Sequence, residues 1–220
     1  MSERENIFAR IKEALTIHAH AHHGTGLPTA ADQRRVMPSV GATTDEQFAL
    51  FAKNAADLKA TFKIVQDETE LRSELTALAA AEKWVRIATH KSSLAGALAA
   101  SLNLPTLMTD EGCDKHELEK CDAGISECDA LVAQTGTVVV TSRTAGGRAL
   151  SCLPPHHVVI ARREQFVADL PAAFALIRQK HGANYPSMIS FITGPSRTGD
   201  IERILVLGAH GPKKLTIFCL

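Results

Sequence analysis

The chain has 220 residues, 45% of them apolar and 22% charged, with 24 Lys plus Arg balanced by 24 Asp plus Glu. That length suffices for one domain with a sizeable core, and zero net charge argues against nucleic acid, whose phosphates call for clustered positive charge. No stretch approaches the roughly 20 apolar residues that span a bilayer, and the charged start Met1-Ser2-Glu3-Arg4-Glu5 lacks the apolar run of a secretory signal, so a cytoplasmic protein without membrane insertion is expected.

Ile7, Ile11, Ala14 and Leu15 share one face at helical spacing, which predicts an amphipathic helix over 2–21. The polar stretch that follows, to residue 43, is long for a compact domain. Residues 1–43 are therefore read as a helical arm and linker, which packs on the body or exchanges with a second copy in a homodimer. His18, His20, His22 and His23 end the arm helix. His18 and His22 lie one turn apart, as two metal ligands would, yet a helix C-terminus favours His through its dipole alone. No metal is expected.

The body is read as 44–220. Phe48, Phe51, Ala52, Ala55, Leu58 and Phe62 recur at three and four residues and predict a helix over 45–62, followed by a strand at 63–65. Asp67 and Glu70 resemble a capping box ahead of Leu71, Leu75 and Leu78. A strand at 84–88, an Ala- and Leu-rich helix at 92–102 and a strand at 105–108 follow. Residues 109–122 are a charged connector, and 123–126 a weak strand. Extended runs at 131–133 and 138–141 flank Gln134-Thr135-Gly136-Thr137. A buried strand covers 158–161, and a helix runs from Pro171 after Asp169 to a stop at Gly182. Strands at 189–192 and 215–219 complete the chain. Alternating helix and strand predict a mostly parallel sheet with helices on both faces, and the strand-rich later half predicts some antiparallel pairs.

Five cysteines, none in a CxxC pair, point to reduced thiols. The gaps between Cys113, Cys121 and Cys128 match no metal-ligand spacing. The chain also lacks a Walker lysine loop, GxGxxG, HExxH and GxSxG.

Four small-residue segments lie beside strands. In Gly194-Pro195-Ser196-Arg197-Thr198-Gly199-Asp200, Ser196 or Thr198 would cap a short helix carrying Ile201, Ile204 and Leu205. Its free N–H groups, with the planar Arg197 fork, suit a carboxylate or phosphate; a capped turn with a solvent-facing Arg explains the same residues. In Gly208-Ala209-His210-Gly211-Pro212, the flanking glycines leave the imidazole unobstructed for acid–base or hydrogen-bonding work, or His210 simply bonds backbone. Arg148, after Gly146-Gly147, either faces the same crevice or forms a surface ion pair. Thr135-Gly136-Thr137 offers hydroxyl and backbone donors, or is only a tight turn. His157, at the edge of an apolar strand, reads as a paired core histidine.

Thr135-Gly136-Thr137, Arg148-Ala149-Leu150-Ser151 with Leu153-Pro154-Pro155 and His157, Gly194-Pro195-Ser196-Arg197-Thr198 with Asp200-Ile201-Glu202, and Leu207-Gly208 with His210-Gly211-Pro212 occur in the order seen in the LUD domain. The chain resembles this lactate-utilisation family over roughly 45–220. The resemblance implies a three-layer α/β/α sandwich with a mostly parallel sheet, like ribose-5-phosphate isomerase, glucosamine-phosphate deaminase and CoA transferases. It implies an accessory subunit in oxidising L-lactate to pyruvate, beside two iron–sulfur partner subunits that carry the clusters; this chain needs no cofactor of its own. Candidate ligand-binding residues are Thr135, Gly136, Thr137, Arg148, Gly194, Ser196, Arg197, Thr198, Gly208 and Gly211, with His210 the catalytic candidate, around a small carboxylate or phosphate-bearing ligand in a strand-end crevice. The alternative is a metabolite-binding regulatory or scaffolding module without chemistry. Family members commonly carry Glu before Thr-Gly-Thr, where this chain has Gln134, which cannot act as a carboxylate base.

Overall fold

The computed structural model describes residues 3–16, 39–199, 205–208 and 210–220. The chain divides into two units, Met1–Pro38 and Ser39–Leu220. The first carries α1 (Glu3–Thr16), whose Ile7, Phe8 and Ile11 are exposed. The expected extension of this helix to residue 21 and the histidine run lie outside the described residues.

The second unit opens with α2 (Thr44–Asp57). Thr43 is its N-cap: the Thr43 hydroxyl accepts from the Glu46 N–H, and the Glu46 carboxylate accepts from the Thr43 N–H at 2.9 Å. The helix ends five residues before the expected boundary. Leu58 caps it, Lys59 turns the chain at φ 64°, and Phe62 joins β1 (Thr61–Ile64) instead of continuing the helix. Then come α3 (Glu68–Glu82), capped by Asp67 through the Glu70 N–H, β2 (Ile87–Thr89), α4 (Ala95–Ser101) and β3 (Thr106–Met108). The charged connector forms a 3-10 turn and α5 (Lys115–Glu119). Next are β4 (Ala123–Glu127), β5 (Ala130–Val132), β6 (Thr137–Thr141), β7 (His156–Ala161) and β8 (Phe166–Val167). The chain continues through α6 (Leu170–His181), β9 (Ile189–Ile192), β10 (Arg197–Gly199), β11 (Leu205–Leu207) and β12 (Lys214–Cys219).

Six strands form one sheet in the order β1-β12-β7-β4-β2-β3, and every neighbouring pair is parallel. Parallel sheets need both faces covered, which is why β7 reads as an unbroken buried run, His156 to Ala161. On one face, Leu71 and Leu75 of α3 and Leu98 of α4 pack with Ile87, Ile125, Val158 and Ile160. On the other, Phe51 and Ala55 of α2 pack with Val159, Leu215 and Ile217, and Leu118 of α5 with Ala88. This is the expected mostly parallel α/β sheet with helices on both faces. A second sheet, β8-β5-β6-β9, adds to the α2 side: Leu131, Val138 and Val140 face the main sheet, while Ala130, Val132 and Val139 face Ala173 and Ile177 of α6. Its β5–β6 and β6–β9 pairs are antiparallel, as the strand-rich later half predicts. Among the described residues, no helix is long and apolar enough to cross a membrane.

Candidate functional site

The loops that lead into β7 and β12, and the segment leaving β9, converge on a cavity of about 420 Å³. Ser151 and Cys152 come from the β6–β7 connection, Ser190 and Ile192 from β9, Thr193, Gly194, Ser196 and Arg197 from the segment after it, and His210, Gly211 and Pro212 from the approach to β12. Since β1, β12 and β7 run in one direction, the chain ahead of each lies at a common edge. The strand-end crevice is thus at the amino ends of the parallel strands.

Gly194, Ser196, Arg197, His210 and Gly211 all line this cavity. Gly194 has φ 84°, and a side chain there would stand 3.0 Å from the Leu58 Cβ, so only glycine lets the strand end pass over the end of α2. The Ser196 N–H donates to the Pro212 carbonyl at 2.8 Å, and its own carbonyl accepts from the Gly208 N–H at 3.0 Å. These bonds continue the antiparallel ribbon of β10 and β11, which pairs Arg197 with Leu207 and Gly199 with Leu205. The ribbon puts Arg197–Gly199 and Leu205 in strands in place of the expected helix after Ser196 or Thr198; Ile201 and Ile204, which that helix was to carry, lie outside the described residues. The Ser196 N–H is spent on Pro212, and Gly199 sits in a strand pair, so no helix N-terminus offers donors at 196–199. What Ser196 offers a ligand is its hydroxyl. The Thr198 side chain lies outside the described residues.

The exposed Arg197 guanidinium donates to the carbonyl of Leu58, the C-cap of α2. Thr135 and Thr137 do not line the cavity themselves. They reach its rim through a hydroxyl chain: Thr135 Oγ1 to Thr137 Oγ1 at 2.7 Å, and Thr137 Oγ1 to Thr193 Oγ1 at 2.8 Å. Gly136 closes the β5–β6 turn against Asn54 and Ala55 of α2, and the Asn54 amide donates to the carbonyls of Ala133 and Gln134 at 2.9 and 3.0 Å. Arg148 is exposed, does not line the cavity and makes no ion pair among the described residues.

Cys152 and Thr193 enter the cavity without having been singled out, and Ser151 was named only within the Arg148-Ala149-Leu150-Ser151 segment. Their only sequence signal is position: Ser151-Cys152 just precedes Pro154-Pro155, whose restricted backbone steers the approach to β7. His157 is a core residue, its Nε2 2.9 Å from the buried Ser126 hydroxyl. Burial pushes its pKa down to about 3, and that of His156, beside Thr216, to about 4. Among the described residues, no three His, Cys, Asp or Glu side chains gather into a metal site.

The LUD domain profile matches residues 48–220. The chain belongs to the LUD domain family. Over 98 residues it is 41% identical to lactate utilization protein C of Anoxybacillus flavithermus, covering 44% of this chain and 43% of that one. The corresponding Bacillus subtilis protein is 40% identical over 98 residues, covering 44% and 41%. The chain thus spans less than half the length of these curated relatives. A solved DUF162 family protein from Deinococcus radiodurans superposes with a TM-score of 0.58 at 22% identity, over 81% of this chain and 99% of that one, a likeness of fold.

Proposed function

We propose that this LUD domain acts in lactate utilisation, as an accessory subunit of a cytoplasmic system that oxidises L-lactate to pyruvate. Its amino-edge cavity holds a small carboxylate or a phosphate-bearing ligand. The observation that carries the reading is that Ser196 and Arg197, ahead of β11, and His210, after it, line one cavity together. The similarity to proteins named for lactate utilisation supplies the process.

Arg197 offers five donors in a planar fork, and one resting bond to Leu58 leaves the rest for an anion. The Ser196 hydroxyl adds a neutral donor. His210 contacts the hydroxyl or carbonyl carbon's oxygen of the bound acid. The electron-carrying iron–sulfur clusters belong, in this reading, to two partner subunits. The test is growth on L-lactate with Arg197→Ala or His210→Ala replacing the native chain, beside calorimetric binding of L-lactate, pyruvate and phosphate. Full growth and unchanged binding in both variants would remove the site.

A second reading, a metabolite-sensing or scaffolding module without chemistry, is favoured by one feature. No carboxylate lines the cavity among the described residues, which leaves His210 and the Cys152 thiol as the side chains that could move a proton. Co-purification decides between them. A chain that captures iron–sulfur subunits and restores lactate oxidation acts in turnover; one that binds ligand but is dispensable for turnover is a sensor.

A further inference from the structure

The parallel sheet has a second edge, at the carboxyl ends of its strands, which the proposed function leaves unused. β2 and β4 are neighbours there. The helix that follows β2 packs on one face, through Leu98 against Ile87 and Ile125. The chain leaving β4 crosses to the other face, where Leu131 packs on Val159 and Ile217. Neighbouring parallel strands whose continuations leave to opposite faces part at their carboxyl ends, and open α/β sheets take their ligands in such crevices. His90 directly follows β2, Glu127 ends β4, and Thr109 and Asp110 follow β3.

His90 is only 3% exposed, and its Nε2 is buried with no hydrogen-bond partner. Native structures pair nearly all such atoms, so an orphan calls for an explanation. The backbone has been brought against this ring on purpose-built residues: at Gly146, with φ 57°, a Cβ would stand 2.4 Å from the His90 Cβ and 2.5 Å from Thr109 Oγ1. At the adjacent Gly147 a Cβ would meet nothing within 4 Å, so the strap is open on its next residue. Glu127 Oε1 accepts from the Ala95 N–H at 3.3 Å, and its other oxygen makes no hydrogen bond among the described residues.

The charge around His90 sets the ligand class. Asp110 and Glu127 are the carboxylates that act on it, and Asp110 also holds the Lys91 N–H. The Lys91 ammonium is matched by Glu111 at 3.3 Å. Burial lowers the His90 pKa, which keeps the ring neutral. The surplus is negative, unlike the Arg197 cavity, and it repels phosphate and carboxylate. A neutral imidazole beside a carboxylate offers one donor-or-acceptor and one acceptor, the pairing that reads adjacent hydroxyls.

We propose that the carboxyl-edge crevice between β2 and β4 is a second ligand site, which takes an uncharged polyhydroxyl group through His90 Nε2 and the Glu127 carboxylate. It lies across the sheet from the anion cavity, about 17 Å along β7 at roughly 3.3 Å per residue.

The test is side-chain 1H–15N NMR of the full chain, with the His90 ring assigned by its loss in His90→Phe. D-glucose and myo-inositol are the neutral probes, inorganic phosphate the anion and ethylammonium the cation. The expected result is a saturable His90 shift with a polyol and none with phosphate, with affinity at least ten-fold weaker in Glu127→Gln. Arg197→Ala should leave this response intact, so failure of the lactate reading and failure of this one stay distinguishable. Absence of any saturable polyol response means that Nε2 serves a buried water or nothing, and overturns the site. A response as strong to phosphate or ethylammonium overturns the ligand class, and unchanged affinity in Glu127→Gln overturns the residue assignment. Should His90→Phe not fold, His90→Gln supplies the assignment.

Discussion

Arg197 donates through its guanidinium to the carbonyl oxygen of Leu58, 139 residues earlier, where α2 ends. Helix C-termini leave carbonyls unpaired and partly negative, so the cation has a resting partner that holds it at the cavity rim. Arg197→Lys keeps the charge and loses the fork. It should weaken phosphate or L-lactate binding about five-fold, and Arg197→Ala about a hundred-fold, the scale of a charge-assisted hydrogen bond of roughly 1.5–3 kcal/mol. Isothermal calorimetry on the three chains measures this, and equal affinities would detach Arg197 from the site.

The hydroxyl chain Thr135–Thr137–Thr193 makes a separate prediction. Thr137 is 1% exposed, and its hydroxyl sits between the other two. Thr137→Val preserves shape but strands two hydroxyls. It should cost about 1 kcal/mol, a fall in Tm of about 2–4 °C for a chain of this size. Ligand affinity should also drop, because Thr193 lines the cavity. Thermal melts and calorimetry read the two effects; a drop in Tm with unchanged affinity would show that the chain serves the fold alone.

Local signals were legible and reversals were not. α6 follows its signals: Asp169 accepts from the Ala172 N–H, Pro171 sits in the first turn and Gly182 stops the helix. The end of α2 does not, because Phe62 keeps the three-four rhythm across a turn that depends on Lys59 at φ 64°, a conformation that no periodicity reports. Phe62 still reaches Phe51, with ring centroids 4.8 Å apart, but from a strand. The residues 197–199 resemble a capped helix start until their partners at 205–207 are known. In the cavity, Arg197 and His210 were readable from their glycine surroundings. The Leu58 carbonyl was not, since a backbone acceptor has no letter in the sequence.

His156 and His157 predict acid sensitivity. Their folded pKa values, about 4 and about 3, lie below the ordinary 6.5 because burial disfavours the imidazolium. Above pH 6.5 both states are neutral there and stability is full. Between pH 6.5 and about 3 the unfolded chain binds protons that the folded chain refuses, so stability falls as pH falls, by up to about 1.4 kcal/mol per pH unit for each histidine. Urea midpoints from pH 7 to pH 4 should trace this slope, and His157→Gln should flatten it. A slope identical in that variant would assign the acid loss to other groups.

Asp129 joins the second sheet to α6. It is 3% exposed, its Oδ2 accepts from the Thr144 hydroxyl at 2.7 Å, and its Oδ1 pairs with the Lys180 ammonium. His181 Nε2, at 3.9 Å, is too distant to replace that ammonium. Lys180→Met keeps the apolar stem and removes the charge, leaving a buried carboxylate with one neutral donor. Breaking a buried pair from one side costs about 3–5 kcal/mol. Lys180 is 45% exposed, so water offsets part of this, and a loss of about 2 kcal/mol is expected. Asp129→Asn in the same background removes the stranded charge and should recover much of that loss. Denaturant midpoints of the three chains test this, and a double variant no more stable than Lys180→Met would show that a stranded Asp129 charge is not the source of the loss.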